Sequence, residues 1–194
     1  MKKGLIIGLG VVALFVVVLL MVFGSYVSAR NQMVQLSGDV DRTYSQLDVV
    51  QQRRLDLIPN LVATVKGYVK EESTVMTNIA NARAGVLAAQ DRASSITANQ
   101  NLSLALIPIQ RLQENYPDLK SSEQFMRLQD ELAGTENRIA VERERYNVTL
   151  EAYNNYVRMF PNNIWAKIAG YQPKNEYYKG SAESKVAPKV DFTN

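Results

Sequence analysis

From Leu5 to Phe23 the chain carries no charged residue, and only Gly8 and Gly10 interrupt its apolar run. A helix crossing the bilayer's hydrocarbon core of about 30 Å needs about 20 such residues. Lys2 and Lys3 precede the run, and the next charge is Arg30. Val27-Ser28-Ala29 could serve as a small-residue cleavage site, which would make the stretch a secretory signal. Signal cores usually span only about 7–15 apolar residues. The favoured reading is therefore an uncleaved transmembrane anchor over residues 1–29, with Tyr26 in the interfacial aromatic belt. Lys2 and Lys3 on one side, against Arg30 and Arg42 on the other, place the N-terminus in the cytoplasm by a slight margin. The expected topology is a single crossing, with the body outside.

Beyond Arg30 the apolar period is helical. Met33, Ser37, Val40, Tyr44, Leu47 and Gln51 follow a 3–4 spacing, predicting one helix from the membrane segment to about Leu55. Pro59 lacks a backbone donor, and its ring clashes with the carbonyl four residues back. A corner between two helices is expected there, with Asp56 as a cap. The alternative is that Arg53 and Arg54 form a basic pair exposed for a partner. Ile58, Val62, Val65, Val69, Met76, Ile79 and Val86 predict a second helix from about Pro59 to Gln90. A loop is expected near Asp91–Thr97.

Leu102, Leu106, Ile109 and Leu112 predict a third helix over about Ala98–Asn115, kinked at Pro108 and stopped by Tyr116-Pro117. Ser121 with Gln124 matches a capping box. A heptad follows: Phe125, Leu128, Leu132, Thr135, Ile139, Glu142, Tyr146, Thr149, Tyr153, Tyr156 and Phe160. This is a bundle face, ended by Pro161. Ile164, Trp165, Ile168 and Tyr171 then form a short amphipathic piece. It either covers the end of the bundle or lies at a membrane surface. From Gln172 the apolar period is lost, and Gly180–Asn194 is expected to be disordered.

Composition narrows the chemistry. The chain has no cysteine and no histidine, and its net charge is +3. Disulfides and thiolate metal sites are excluded, and the commonest general base and zinc ligand are missing. The mixed, weak charge gives no footprint for nucleic acid. Phosphate-cradling glycine loops do not occur. Di-metal carboxylate bundles pair Glu with His on two helices, which this chain cannot do. Glu142-Arg143-Glu144-Arg145 reads as a solvated face with local ion pairs. No catalytic, cofactor or metal residue is expected.

Several stretches together resemble the LemA family of bacterial membrane-anchored helical proteins. The carriers are Asp48–Val62, Val65–Tyr68, Asn81-Ala82-Arg83, Glu114–Lys120, Thr135–Ala140, Arg145-Tyr146-Asn147, Tyr153-Asn154 and Phe160-Pro161, in that order. Tyr44-Ser45-Gln46 departs conservatively from the family's Trp or aromatic-Ser. The resemblance implies a single N-terminal membrane helix followed by a long antiparallel four-helix bundle, all-α throughout. It supplies no active site. A related branch is linked to building magnetosome membranes, which implies a scaffold or membrane-organising role.

The expected organisation is an anchor over 1–29, a bundle over 30–171 and an extended tail over 172–194. The expected function is a non-enzymatic scaffold or adaptor, self-associating or bound to other membrane proteins, with no cofactor, nucleic acid or small-molecule substrate. A periplasmic chaperone-like module holding client proteins is the alternative. Candidate partner or network residues are Arg53, Arg54, Asp56, Asn60, Glu136, Asn137, Arg138, Tyr146, Asn147 and Asn154. A polar cluster satisfied pairwise inside the bundle is the competing account of the same residues.

Overall fold

The computed structural model describes residues 2–69 and 72–179. Six helices account for almost all of them, and no strand occurs among the described residues. They are α1 (Lys2–Tyr68), α2 (Ser73–Leu87), α3 (Arg92–Asn115), α4 (Pro117–Lys120), α5 (Glu123–Arg158) and α6 (Asn162–Ala169). The chain is all-α, with one long apolar N-terminal helix. The expected disordered segment, Gly180–Asn194, lies outside the described residues.

Two compact units form. Of the described residues, the first takes 2–45 and 148–175, and the second takes 46–69, 72–147 and 176–179. In the first unit every side chain described from Ile6 to Ser25 is exposed. Burial begins with Ala29 and continues at Met33 and Val40, which belong to the 3–4 seam that the sequence marks. Leu150, Tyr153 and Val157 of α5 and Ala166 of α6 supply the rest of this unit's buried apolar set.

The second unit holds the main core. Leu55, Ile58, Leu61, Val65 and Val69 meet Met76 and Ile79 of α2, Leu102, Ile109 and Leu112 of α3, Leu119 of α4, and Phe125 and Leu128 of α5. Burying each such side chain is worth about 1.5–3 kcal/mol relative to exposure.

The expected corner at Pro59 is absent: α1 runs through it to Tyr68. Pro59 cannot bond the Leu55 carbonyl four residues back. Arg83 Nε of α2 donates to that carbonyl at 3.2 Å. A neighbouring helix thus supplies the hydrogen bond that the helix itself lacks. The real break falls later, between Tyr68 and Ser73. The apolar spacing concealed it, because Val69, Met76 and Ile79 face one core from both sides of the break.

α3 begins at Arg92, inside the expected loop. Asp91 Oδ1 accepts from the Ser94 amide at 2.8 Å, and Ser94 Oγ accepts from the Asp91 amide at 3.2 Å. This reciprocal pair satisfies two orphan donors at the helix start. The bond from the Ser94 backbone lowers the Asp91 carboxyl below its usual range. At the start of α5 the capping residue is Ser122 rather than Ser121. Ser122 Oγ accepts from the Phe125 amide at 3.4 Å, whereas Ser121 Oγ donates back to the Asp118 carbonyl. α6 ends at Gly170, whose φ of 78° is the left-handed conformation that glycine tolerates best. Residues 171–179 then continue without helix.

Candidate functional site

The ten residues singled out by the sequence fall into three groups. The first surrounds Arg54, which is fully buried. The 3–4 period of α1 points it into the second unit. Its Nη1 donates to Glu136 Oε2 and to Ser103 Oγ, each at 2.7 Å. Its Nη2 donates to Asn99 Oδ1 at 3.0 Å and to the Asn99 carbonyl at 3.2 Å. Burial pushes the guanidinium below its ordinary value, and Glu136 opposes that shift. Arg143 reaches the other oxygen of Glu136 at 3.7 Å. One carboxylate is therefore shared between two arginines, and only Arg54 is fully removed from water.

Asn99 and Ser103 were not among the expected residues. They stand four apart on α3, one turn of a single face. Asn99 is buried and donates to the Ser95 carbonyl at 3.0 Å. Their four-residue spacing was the available signal, but Ser95, Gln100 and Asn101 around them make that half of α3 largely polar.

The second group holds the extended residues after α6. In the first unit Asn154 Nδ2 donates to the Lys174 carbonyl at 2.6 Å, and the Lys174 amide donates to Asn154 Oδ1 at 2.8 Å. Tyr153 Oη donates to the Gln172 carbonyl at 2.9 Å. Lys174 Nζ lies 3.7 Å from Asp41 and 5.3 Å from the centre of the Tyr153 ring. Burial raises the Tyr153 hydroxyl, and Tyr171 and Asp41 add to the shift.

In the second unit Asn147 repeats the arrangement. Its Nδ2 donates to the Tyr178 carbonyl at 2.8 Å, and its Oδ1 accepts from the Tyr178 amide at 3.0 Å. The buried Tyr178 ring meets Tyr146 edge-on at 5.8 Å, and Arg143 stands over it at 5.3 Å. Gln51 Nε2 donates to the Tyr178 hydroxyl at 3.0 Å. Burial pushes the Tyr146 phenol up to about 12, against the opposing charge of Arg92. Asn147 and Asn154 lie seven residues apart, two turns of one helix. Each bonds the backbone N–H and carbonyl of one extended residue, while the Lys174 and Tyr178 side chains make further contacts of their own.

The third group is exposed. Arg53 pairs with Glu131 at 3.2 Å with both side chains largely in water. Asp56 accepts from Gln52 at 3.0 Å. Asn60 borders an open groove of about 570 Å³ shared with Glu123, Gln124, Arg127, Leu128 and Glu131. Asn137 and Arg138 lie on an exposed face of α5. The structure therefore brings together Arg54 with Glu136, and Tyr146 with Asn147, but does not gather all ten. No group of three or more Asp or Glu side chains placed to hold a metal occurs among the described residues.

The amphipathic piece near residue 165 divides. Ala166 is buried, and the Trp165 ring meets Tyr26 edge-on at 5.7 Å. Ile164 and Ile168 stay exposed. The helix from Ile6 is long and apolar enough to cross a membrane, which fits an anchor.

A family model described as "LemA family" matches residues 43–192. Similar proteins include Magnetosome protein MamQ 2 of Paramagnetospirillum magneticum, 25% identical over 175 residues, covering 77% of this chain and 64% of the relative. Protein LemA of Metamycoplasma hominis is 20% identical over 143 residues, covering 73% of this chain and 65% of the relative. The chain thus spans somewhat less than two thirds of the length of these relatives. The family match takes in more than half of the residues, and the chain belongs to the LemA family.

Proposed function

We propose that this protein is a non-enzymatic, membrane-anchored helical scaffold or adaptor that self-associates and organises membrane or membrane-protein assemblies. The supporting observation is the change in α1. Its side chains are exposed from Ile6 to Ser25, and its buried seam opens at Ala29 without a break in the helix. An apolar surface of that length has a natural solvent in lipid, and the seam that follows is built for protein. In this reading the helices beyond the span form an antiparallel four-helix bundle on the periplasmic side of a bacterial inner membrane. The buried polar residues serve to fix that bundle rather than to carry out a reaction. Kinship with proteins named for the magnetosome supports a role in membrane assemblies.

Two measurements test the reading. Crosslinking in intact membranes, with identification of co-purifying proteins, should return this chain linked to itself and to other membrane proteins. Recovery of monomer alone would overturn the scaffold. Protease added to spheroplasts should digest the bundle; full protection would reverse the orientation.

A further inference from the structure

The corner between α5 and α6 exposes four large apolar side chains within one short segment. Met159 is 61% exposed, Phe160 79%, Ile164 46% and Ile168 64%. Ile164 and Ile168 are four residues apart, on one face of α6. Ala166 is turned inward and buried. Packing within the first unit thus accounts for one side of α6 and leaves the other to its surroundings.

The position of this face identifies what those surroundings are. Trp165 packs edge-on against Tyr26. Tyr26 stands three residues after Phe23, the last residue of the apolar run, a rise of about 4.5 Å along a helix. Burial of α1 begins at that level, with Tyr26 partly covered and Ala29 buried. α6 is therefore seated where the bare apolar stretch ends. Tyr favours the headgroup level, where an apolar ring body and a polar tip are both satisfied; the Trp165 indole nitrogen is buried, so that ring packs inward against Tyr26. Short amphipathic helices with exposed apolar faces lie in the same layer. Lys167 lies beside that face and is exposed, so its ammonium can reach the headgroups while its stem stays in the apolar layer.

From this placement we infer that the α5–α6 corner is a second membrane contact, with Phe160, Ile164 and Ile168 entering the interfacial layer of the bilayer that α1 spans. The inference rests on the transmembrane reading of α1. The occupant of the exposed face is lipid, because the face continues the level of the uncovered apolar stretch. A single helix leaves the domain free to tilt about its base. A second contact at Phe160 and Ile168 restrains that tilt.

The absence of native cysteine makes the test direct. Single variants Val16→Cys, Ile168→Cys and Val148→Cys of the full chain are labelled with an environment-sensitive fluorophore and reconstituted into vesicles. All three positions are exposed, so the substitutions leave the packing intact. Nitroxide lipids carry the quencher either near the headgroup or deep in the acyl chain. The label at residue 168 should emit at shorter wavelength than that at 148 and be quenched by the shallow nitroxide. The label at 16 should be quenched by the deep one. A water-like signal at 168 with deep quenching at 16 overturns the second contact and leaves the span standing. A blue-shifted signal at 168 that no nitroxide lipid quenches means that protein, such as a second copy, covers the face, and overturns it as well. Absence of deep quenching at 16 removes the span, and the second contact falls with it.

Discussion

Arg83 Nε donates to the backbone carbonyl of Leu55 at 3.2 Å, the carbonyl that Pro59 leaves without its helical partner. A fault in one helix thereby becomes a docking point for another. Arg83→Ala should destabilise the chain by about 1–2 kcal/mol, because a largely buried acceptor loses its bond. Pro59→Ala restores an N–H to that carbonyl. In the Pro59→Ala background, Arg83→Ala should cost less by about 0.5–1.5 kcal/mol. Chemical unfolding of the four variants of this cycle in detergent measures the coupling. Equal costs in both backgrounds would show that Arg83 acts elsewhere.

Arg53 and Arg54 are neighbours in sequence and opposites in setting. The Arg54 side chain is 1% exposed and pairs with Glu136, while that of Arg53 is 68% exposed beside Glu131. Removing the fully buried Arg54 side chain leaves a cavity and strips its bonds from Asn99 and Ser103, at a cost of about 2–5 kcal/mol. An exposed pair contributes about 0–1 kcal/mol. Arg54→Ala should therefore lower the unfolding midpoint strongly, and Arg53→Ala hardly at all. Glu136→Gln should fall between them, since Glu136 is partly in water and a glutamine oxygen still accepts from Arg54. The same midpoint for both arginine variants would refute the distinction.

Those two arginines show what the sequence makes legible. The 3–4 period of α1 places Met33, Val40, Leu47 and Gln51 on one side, and all four are buried. Arg54 continues that series, so its burial was readable. Its partners were less so, because Asn99 lies 45 residues away and no local rule connects them. Pro59 was misread because the proline rule is local, whereas the remedy, Arg83, arrives from another helix. The start of α3 was misread because Ser94 and Ser95 look like loop residues until Asp91 is seen to bond Ser94. The extended residues after Gly170 carry no apolar period at all. Their conformation comes from backbone bonds to Asn147, Asn154 and Tyr153 on α5 and from the isolated side chains of Lys174 and Tyr178, neither of which makes a periodic pattern.

The two asparagines should act locally. Asn154→Ala removes both bonds to the Lys174 backbone, and Asn147→Ala removes both to Tyr178. A buried donor or acceptor left unpaired costs about 1–3 kcal/mol, drawn from the opening of the extended segment rather than from the whole fold. Hydrogen exchange followed by mass spectrometry should show faster exchange over 172–175 in the first variant and over 176–179 in the second. Exchange in α1 should stay unchanged. Asn137→Ala, on the exposed face of α5, is the control and should match the wild type. Uniform acceleration across the chain in either variant would make the asparagines part of the global core instead.

Tyr146 gives the fold an alkaline limit. Its ring is fully buried, and burial raises its phenol to about 12. An unfolded tyrosine ionises near pH 10. Between about pH 10 and 12 the unfolded chain therefore loses this proton while the folded chain keeps it, so the unfolded state binds fewer protons and stability falls as pH rises. The contribution is complete below pH 10 and is lost as pH climbs through the folded value. Its full size is at most about 2–3 kcal/mol. Tyr153 is shifted in the same direction and adds to the decline. Tyr146→Phe keeps the ring but has nothing to ionise. Between pH 9 and 11 it should lose less unfolding free energy than the wild type, by about 1 kcal/mol. Parallel pH profiles for the two proteins would show that Tyr146 does not set the limit.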